Sequence, residues 1–103
     1  MALNISDSYC SDVSITYILH QASQNIFSLS GVMTITCINL NKAPSAMSVL
    51  IGLQNQGGIN YRVGDDNRIH LRIAQGIDVT KLVDSVVKAL EAVGCTTSVF
   101  NNS

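Results

Sequence analysis

PSAMSVLIGLQNQGGINYRVGDDNRIHLRI, residues 44–73, is the stretch whose reading decides the fold. Pro44 suits the first turn of a helix, where its missing N–H costs nothing. Met47, Leu50 and Ile51 follow at helical spacing, and Val49 and Leu53 widen the apolar stripe. Gly57-Gly58 ends the helix, because glycine takes the left-handed cap conformation without strain. Residues 59–63 then read as a strand, residues 64–67 as a turn rich in residues that tolerate positive φ, and residues 68–74 as a second strand. In that second strand Ile69, Leu71 and Ile73 fall on one side and Arg68, His70 and Arg72 on the other, one face for a core and one for water. The stretch is a compact helix–strand–strand unit.

Upstream, residues 31–40 (GVMTITCINL) are rich in β-branched side chains and follow a glycine, which predicts a buried central strand. Residues 11–20 (SDVSITYILH) alternate with period two through Val13, Ile15, Tyr17 and Leu19, another strand. Residues 21–30 between them are polar apart from Ile26 and Phe27 and read as a loop or a short helical turn. Residues 1–9 are expected to be a loose arm or edge segment. Downstream, Gln75-Gly76 breaks the strand, Asp78 is a natural N-cap, and a helix is predicted over 79–93 with Leu82, Val83, Val86, Leu90 and Val93 as its buried stripe. Gly94 stops it. Residues 95–100 read as a last short strand and residues 101–103 as a frayed tail.

Without its first strand this order is βαββαβ, the ferredoxin-like split βαβ pattern. The fold class expected is therefore α+β: a ferredoxin-like βαββαβ sandwich with an antiparallel sheet, two helices on one face, and an extra N-terminal strand. That strand pairs either with the sheet or with a second subunit. The open face of the sheet is the natural place for a partner.

With 103 residues the chain is one domain's worth of sequence. It is 47% hydrophobic and only 13% charged, which leaves too little charge to cover a monomer of this size and points to a homodimer. The net charge is −1 and no run of Lys and Arg could neutralise a series of phosphates, so a nucleic-acid partner is not expected. No apolar stretch approaches the length of a membrane span, and residues 1–10 lack the basic and apolar regions of a leader; a cytoplasmic protein is expected. The cysteines, Cys10, Cys37 and Cys95, are odd in number and contain no CxxC pair, which predicts small buried or half-buried thiols rather than disulfides or a zinc site.

Residues 44–73 resemble the ACT domain, and within that family the second ACT unit of aspartate kinases. Pro44 opens the helix, Gly58-Ile59-Asn60-Tyr61 stands for the family's Gly-Ile-Asn segment, Asp65-Asp66-Asn67-Arg68 replaces its polar turn, and Ile69-His70-Leu71 is the following strand. The helix over 79–93 matches the family's second helix. Residues 11–15, SDVSI, are similar to the family's Ser-Glu-Ile-Ser-Ile strand. The resemblance implies a division into residues 1–30, an arm and strand left from a preceding ACT unit, and residues 31–103, an ACT-like domain. It also implies a regulatory module that takes an amino-acid effector at a dimer interface and acts on a kinase catalytic domain. The chain itself has no room for that kinase.

A zwitterion needs backbone N–H groups and side-chain acceptors that converge, and a loop leading into a helix N-terminus offers both. The ligand-binding candidates are Asn39, Asn41, Ala43 and Ser45 at the start of the helix, with Asn60 and Tyr61 reaching across from the neighbouring strand. The plainer reading makes Asn39 and Asn41 turn residues and Ser45 a helix-start residue. Ser45 stands where the family has glycine, which favours a module that only mediates association. His20 and His70 have no partner at metal-ligand spacing, and Asp65-Asp66 lacks the distributed acids of a calcium loop. No phosphate-binding loop and no nucleophile elbow is present, so no catalytic activity, metal or cofactor is expected. Three further possibilities stay open: an association module without ligand, a detached small domain of a larger enzyme, and an open-faced carrier of the HPr kind. The last needs a reactive His at a helix start, where neither His20 nor His70 lies.

Overall fold

A computed structural model of the chain describes residues 11–19, 29–64 and 67–102. The arm at residues 1–9, the loop or turn at 21–28, Cys10, His20, Asp65 and Asp66 lie outside the described residues. Five strands and two α-helices follow in the order β1 (Val13–Leu19), β2 (Leu29–Cys37), α1 (Ala43–Leu50), β3 (Ile59–Val63), β4 (Arg68–Ala74), α2 (Val79–Ala92) and β5 (Thr97–Asn101). The chain is α+β, with one five-stranded sheet in the order β3-β4-β2-β1-β5.

The sheet is mixed, not antiparallel as expected: β1 pairs antiparallel with β2 but parallel with β5. The cause is the place β1 takes. In a simple split βαβ arrangement the last strand lies beside the first strand of the pattern, here β2. Instead β1, an uncharged and largely β-branched strand suited to burial, fills that position along all seven of its residues. The α2 crossover then carries β5 one strand further. It arrives parallel to β4, as a crossover connection does, and so parallel to β1 as well. Val13 and Ile15 are fully buried, so β1 shares the one core rather than standing beside it.

Alternation along the strands sorts the two faces. Val13 and Ile15, Met33 and Ile35, and Ile69, Leu71 and Ile73 turn to one face, where Ala46, Leu50 and Leu53 from the first helical segment and Leu82, Val83, Val86 and Leu90 from α2 cover them. Both helices thus lie on that face and the other is open. Burial of these side chains, about 1.5–3 kcal/mol for each Val, Leu, Ile or Met fully removed from water, is the main stabilising influence.

The first helix is α-helical only to Leu50 and tightens into a 3-10 turn over Ile51–Asn55, a common ending. Gly58, at φ +82°, makes the left-handed reversal, and a Cβ there would lie 2.5 Å from Ile77 Cδ1. Ala46, Leu50 and Leu53 form the buried stripe at i, i+4, i+7, whereas Ile51 is exposed. Asp78 caps α2 through its carboxylate, which accepts from the N–H groups of Thr80 and Lys81. Val93 falls just past the helix end and is exposed, with Gly94 at φ +85° behind it. The strand expected over 31–40 begins earlier, at Leu29, and ends at Cys37. Gly31 sits inside it at a shift of register, where a Cβ would collide with the Ile18 carbonyl of β1. Cys37 and Cys95 are free and buried, and burial pushes the Cys37 thiol up, with Cys95 adding to the effect.

Candidate functional site

Asn39, Asn41, Ala43 and Ser45 do lie together at the start of α1, but the side chain of Asn39 is committed to holding the chain. Asn39 caps the 3-10 turn Leu40–Lys42: its Oδ1 accepts from the Asn41 N–H at 3.1 Å. Its Nδ2 donates to Asp12 Oδ1 at 2.9 Å. The other Asp12 oxygen accepts from the Thr96 N–H at 3.0 Å, and Thr96 Oγ1 accepts from the Asp12 N–H at 2.9 Å. The Asp12 carbonyl accepts from the N–H groups of Ile38 and Asn39. One nearly buried carboxylate therefore ties the start of β1 to the exit of β2 and the approach to β5. The Thr96 N–H, then the Asn39 amide, hold the Asp12 carboxyl below the usual carboxylate value, with help from the Lys42 charge. A contact between the Ser11 and Ser98 hydroxyls continues the clamp. Lys42 reaches the Gly94 carbonyl at 3.2 Å. The Ser45 carbonyl accepts from Ser48 Oγ at 2.7 Å.

Asn60 and Tyr61 do not join this group. Asn60 is opposite Arg72, which is opposite Val32, on the far side of the sheet. From there to Asn39 is roughly 20 Å along β2 alone at about 3.3 Å per residue. Asn60 and Tyr61 also point to opposite faces. Tyr61 packs half-buried against the core, and its hydroxyl is buried with no hydrogen-bond partner among the described residues.

The open face carries a different arrangement. Reading across the registers, Arg62, His70, Thr34 and Thr16 form one row, with Phe100 beyond. Asn60, Arg72, Val32 and Ile18 form a second, and Arg68, Thr36, Ser14 and Ser98 a third. The face is basic at β3 and β4 and hydroxylic in the middle, with Ile18, Phe100 and Ser98 toward β5. All three arginines of the chain lie on it. No described residue on these strands that points to this face is acidic. Thr34 Oγ1 and His70 Nδ1 are 3.4 Å apart, at the outer limit of a hydrogen bond. A depression of about 420 Å³ opens here, lined by Val32, Thr34, Asn60, Arg62, His70 and Arg72.

The sequence shows the alternation that puts Arg68, His70 and Arg72 on one side of β4. What it lacked was the β3–β4 register, which adds Arg62 and Asn60, and the β2–β4 register, which adds Thr34. The Lys/Arg cluster missing from any run of sequence is assembled by strand pairing. Among the described residues no three His, Cys, Asp or Glu side chains come close enough to hold a metal ion, and no helix is long and apolar enough to cross a membrane.

These features define an α+β domain with one helix-covered and one open sheet face. No family model, no curated protein and no solved structure matches the chain.

Proposed function

We propose that this chain is a non-catalytic association module, a ferredoxin-like, ACT-like sandwich with β1 inserted in its sheet, and that two copies join through the outer edge of β5. The observation that carries this reading is the character of that edge. Natural sheets blunt their edges with charge, proline or cover. Residues 95–103 contain no charged residue and no proline, and Val99 and Phe100 of β5 are 43% and 44% exposed. An uncharged strand can pair antiparallel with its own copy about a two-fold axis without charge repulsion. β5 is the end strand of the sheet. The reading as an amino-acid sensor has less support, because Asn39 is engaged with Asp12 and Asn60 lies at the far side of the sheet.

Mass in solution tests the proposal. The native protein is expected at twice the 11.0 kDa chain mass. Val99→Lys, which puts a charge on the edge, is expected at the single-chain mass with an unchanged circular dichroism spectrum. A native protein that is monomeric at tens of micromolar, or a Val99→Lys variant that stays dimeric, would rule the β5 edge out.

A further inference from the structure

We propose that the depression on the open face, between Arg62, His70 and Arg72, binds the dianionic phosphate group of a small organic phosphate. The cluster follows from register. Arg62 sits directly opposite His70, and Arg68 and Arg72 flank His70 two residues away on β4. Directly opposed side chains in an antiparallel pair have Cβ atoms about 4.5–5.5 Å apart, and diagonal neighbours about 7–8 Å. Arg62 and Arg72 are diagonal neighbours on the wall of the depression, where like charges repel, and an anion between them relieves the repulsion.

The chain does not supply that anion itself among its described residues. The ion pair found there is Lys88 with Asp84, at 3.0 Å on the exposed side of α2, and none of the arginine side chains has a carboxylate partner. Asp65 and Asp66, between β3 and β4 in sequence, lie outside the described residues.

The donor set selects the ligand. Guanidinium forks match phosphate and carboxylate oxygens in pairs. Two permanent cations, Arg62 and Arg72, line the depression, more than a monocarboxylate such as an amino acid would neutralise, and a phosphate monoester brings close to two charges and three acceptor oxygens. The Thr34 hydroxyl, the Asn60 amide and the His70 ring add donors on the same wall. The depression has the size of a small-molecule site. It lies at the opposite side of the sheet from β5, so it does not depend on the dimer proposed above.

Inorganic phosphate and glycerol phosphate are the probes, titrated into the full-length chain against sodium chloride at matched ionic strength, with melting temperature and arginine side-chain NMR shifts as readouts. Both phosphates should give a saturable rise in melting temperature and move the Arg62 and Arg72 signals, and succinate should bind more weakly. Arg62→Ala and Arg72→Ala, both exposed positions, should each weaken phosphate about tenfold, the worth of one charge-assisted pair. Lys81→Ala on α2 should leave it unchanged. Asp65→Asn with Asp66→Asn should change the affinity by less than a few-fold. No response beyond chloride would overturn the proposal, as would unchanged binding in both arginine variants or a tenfold gain in the turn variant, which would show its acids already filling the cluster. Binding confined to an oligonucleotide, with no response to either phosphate, would overturn it in favour of a polyanion surface.

Discussion

Replacing Tyr61 with Phe should make this protein more stable. The hydroxyl of Tyr61 is buried without a hydrogen-bond partner among the described residues. A buried polar group left unsatisfied costs about 1–3 kcal/mol. Phenylalanine keeps the ring and its packing against the core and removes only the stranded oxygen. Because the side chain as a whole is half-buried, the lower end applies, a gain of about 1 kcal/mol. For a domain of this size that raises the melting temperature by about 4–8 °C. Urea denaturation should show a higher midpoint with the same slope, since the surface exposed on unfolding is nearly unchanged. The gain should also grow in alkali. Burial, followed by the influence of Cys37, raises the Tyr61 phenol above its ordinary value of 10.0. The unfolded chain ionises first, so from about pH 10 upward it binds fewer protons than the folded one and native stability falls. The variant lacks that loss, although the raised Cys37 thiol still imposes its own decline above the ordinary thiol value of 9.0. A variant less stable than the native chain at neutral pH would refute the reasoning, because it would mean that the hydroxyl is hydrogen-bonded in solution.

Two further outcomes follow from the clamp and the strand contact. Gly31→Ala should destabilise by about 1–3 kcal/mol in urea denaturation, the usual cost of overpacking, because its Cβ meets the Ile18 carbonyl and comes within 3.1 Å of Val79 Cγ2; native-like stability would mean that β1 and β2 are not so closely apposed. In acid, Asp12 and Asp78 both have carboxyls lowered from 3.8, the first chiefly by the Thr96 N–H and the second by the Thr80 hydroxyl. Their contribution is present above that value and lost as pH falls below it, because the unfolded chain then binds more protons. The melting temperature should therefore drop steeply on the acid side, and Asp12→Asn should flatten that drop; an unchanged acid limb in the variant would argue against the clamp.

Much of the local structure was legible because its signals are local. Asp78 and Gly94 bracket α2 with cap chemistry that requires no knowledge of the rest of the chain. Asn67 adopts φ 58° in the turn expected between β3 and β4. The periodicities of β1, β4 and α2 indicate their buried sides, except at Leu19 and Val93, which are exposed. The position of β1 was not legible, since alternation says which residues of a strand turn inward but not which strands flank it. The exit of β2 is not legible for a similar reason: Ile38 continues the apolar pattern, yet its N–H leaves the ladder for the Asp12 carbonyl. Asn39 looked available for a ligand because nothing near it in sequence reveals that Asp12 and Thr96 are its neighbours. Arg62 could be joined to His70 only once the hairpin register was known.

The insertion of β1 beside β5 also bears on how the chain can reach this state. Asp12 and Thr96 are 84 residues apart in sequence, and their mutual bonds close the sheet. Non-local pairings of this kind are the slow part of folding, since the entropy of closing the loop must be overcome before any contact rewards it. During synthesis β1 emerges first and β5 last of the five strands. The flank of β1 that β5 will cover therefore stays open until translation has passed Asn101, and a chain halted before that point presents an unpaired, uncharged inner strand to whatever it meets.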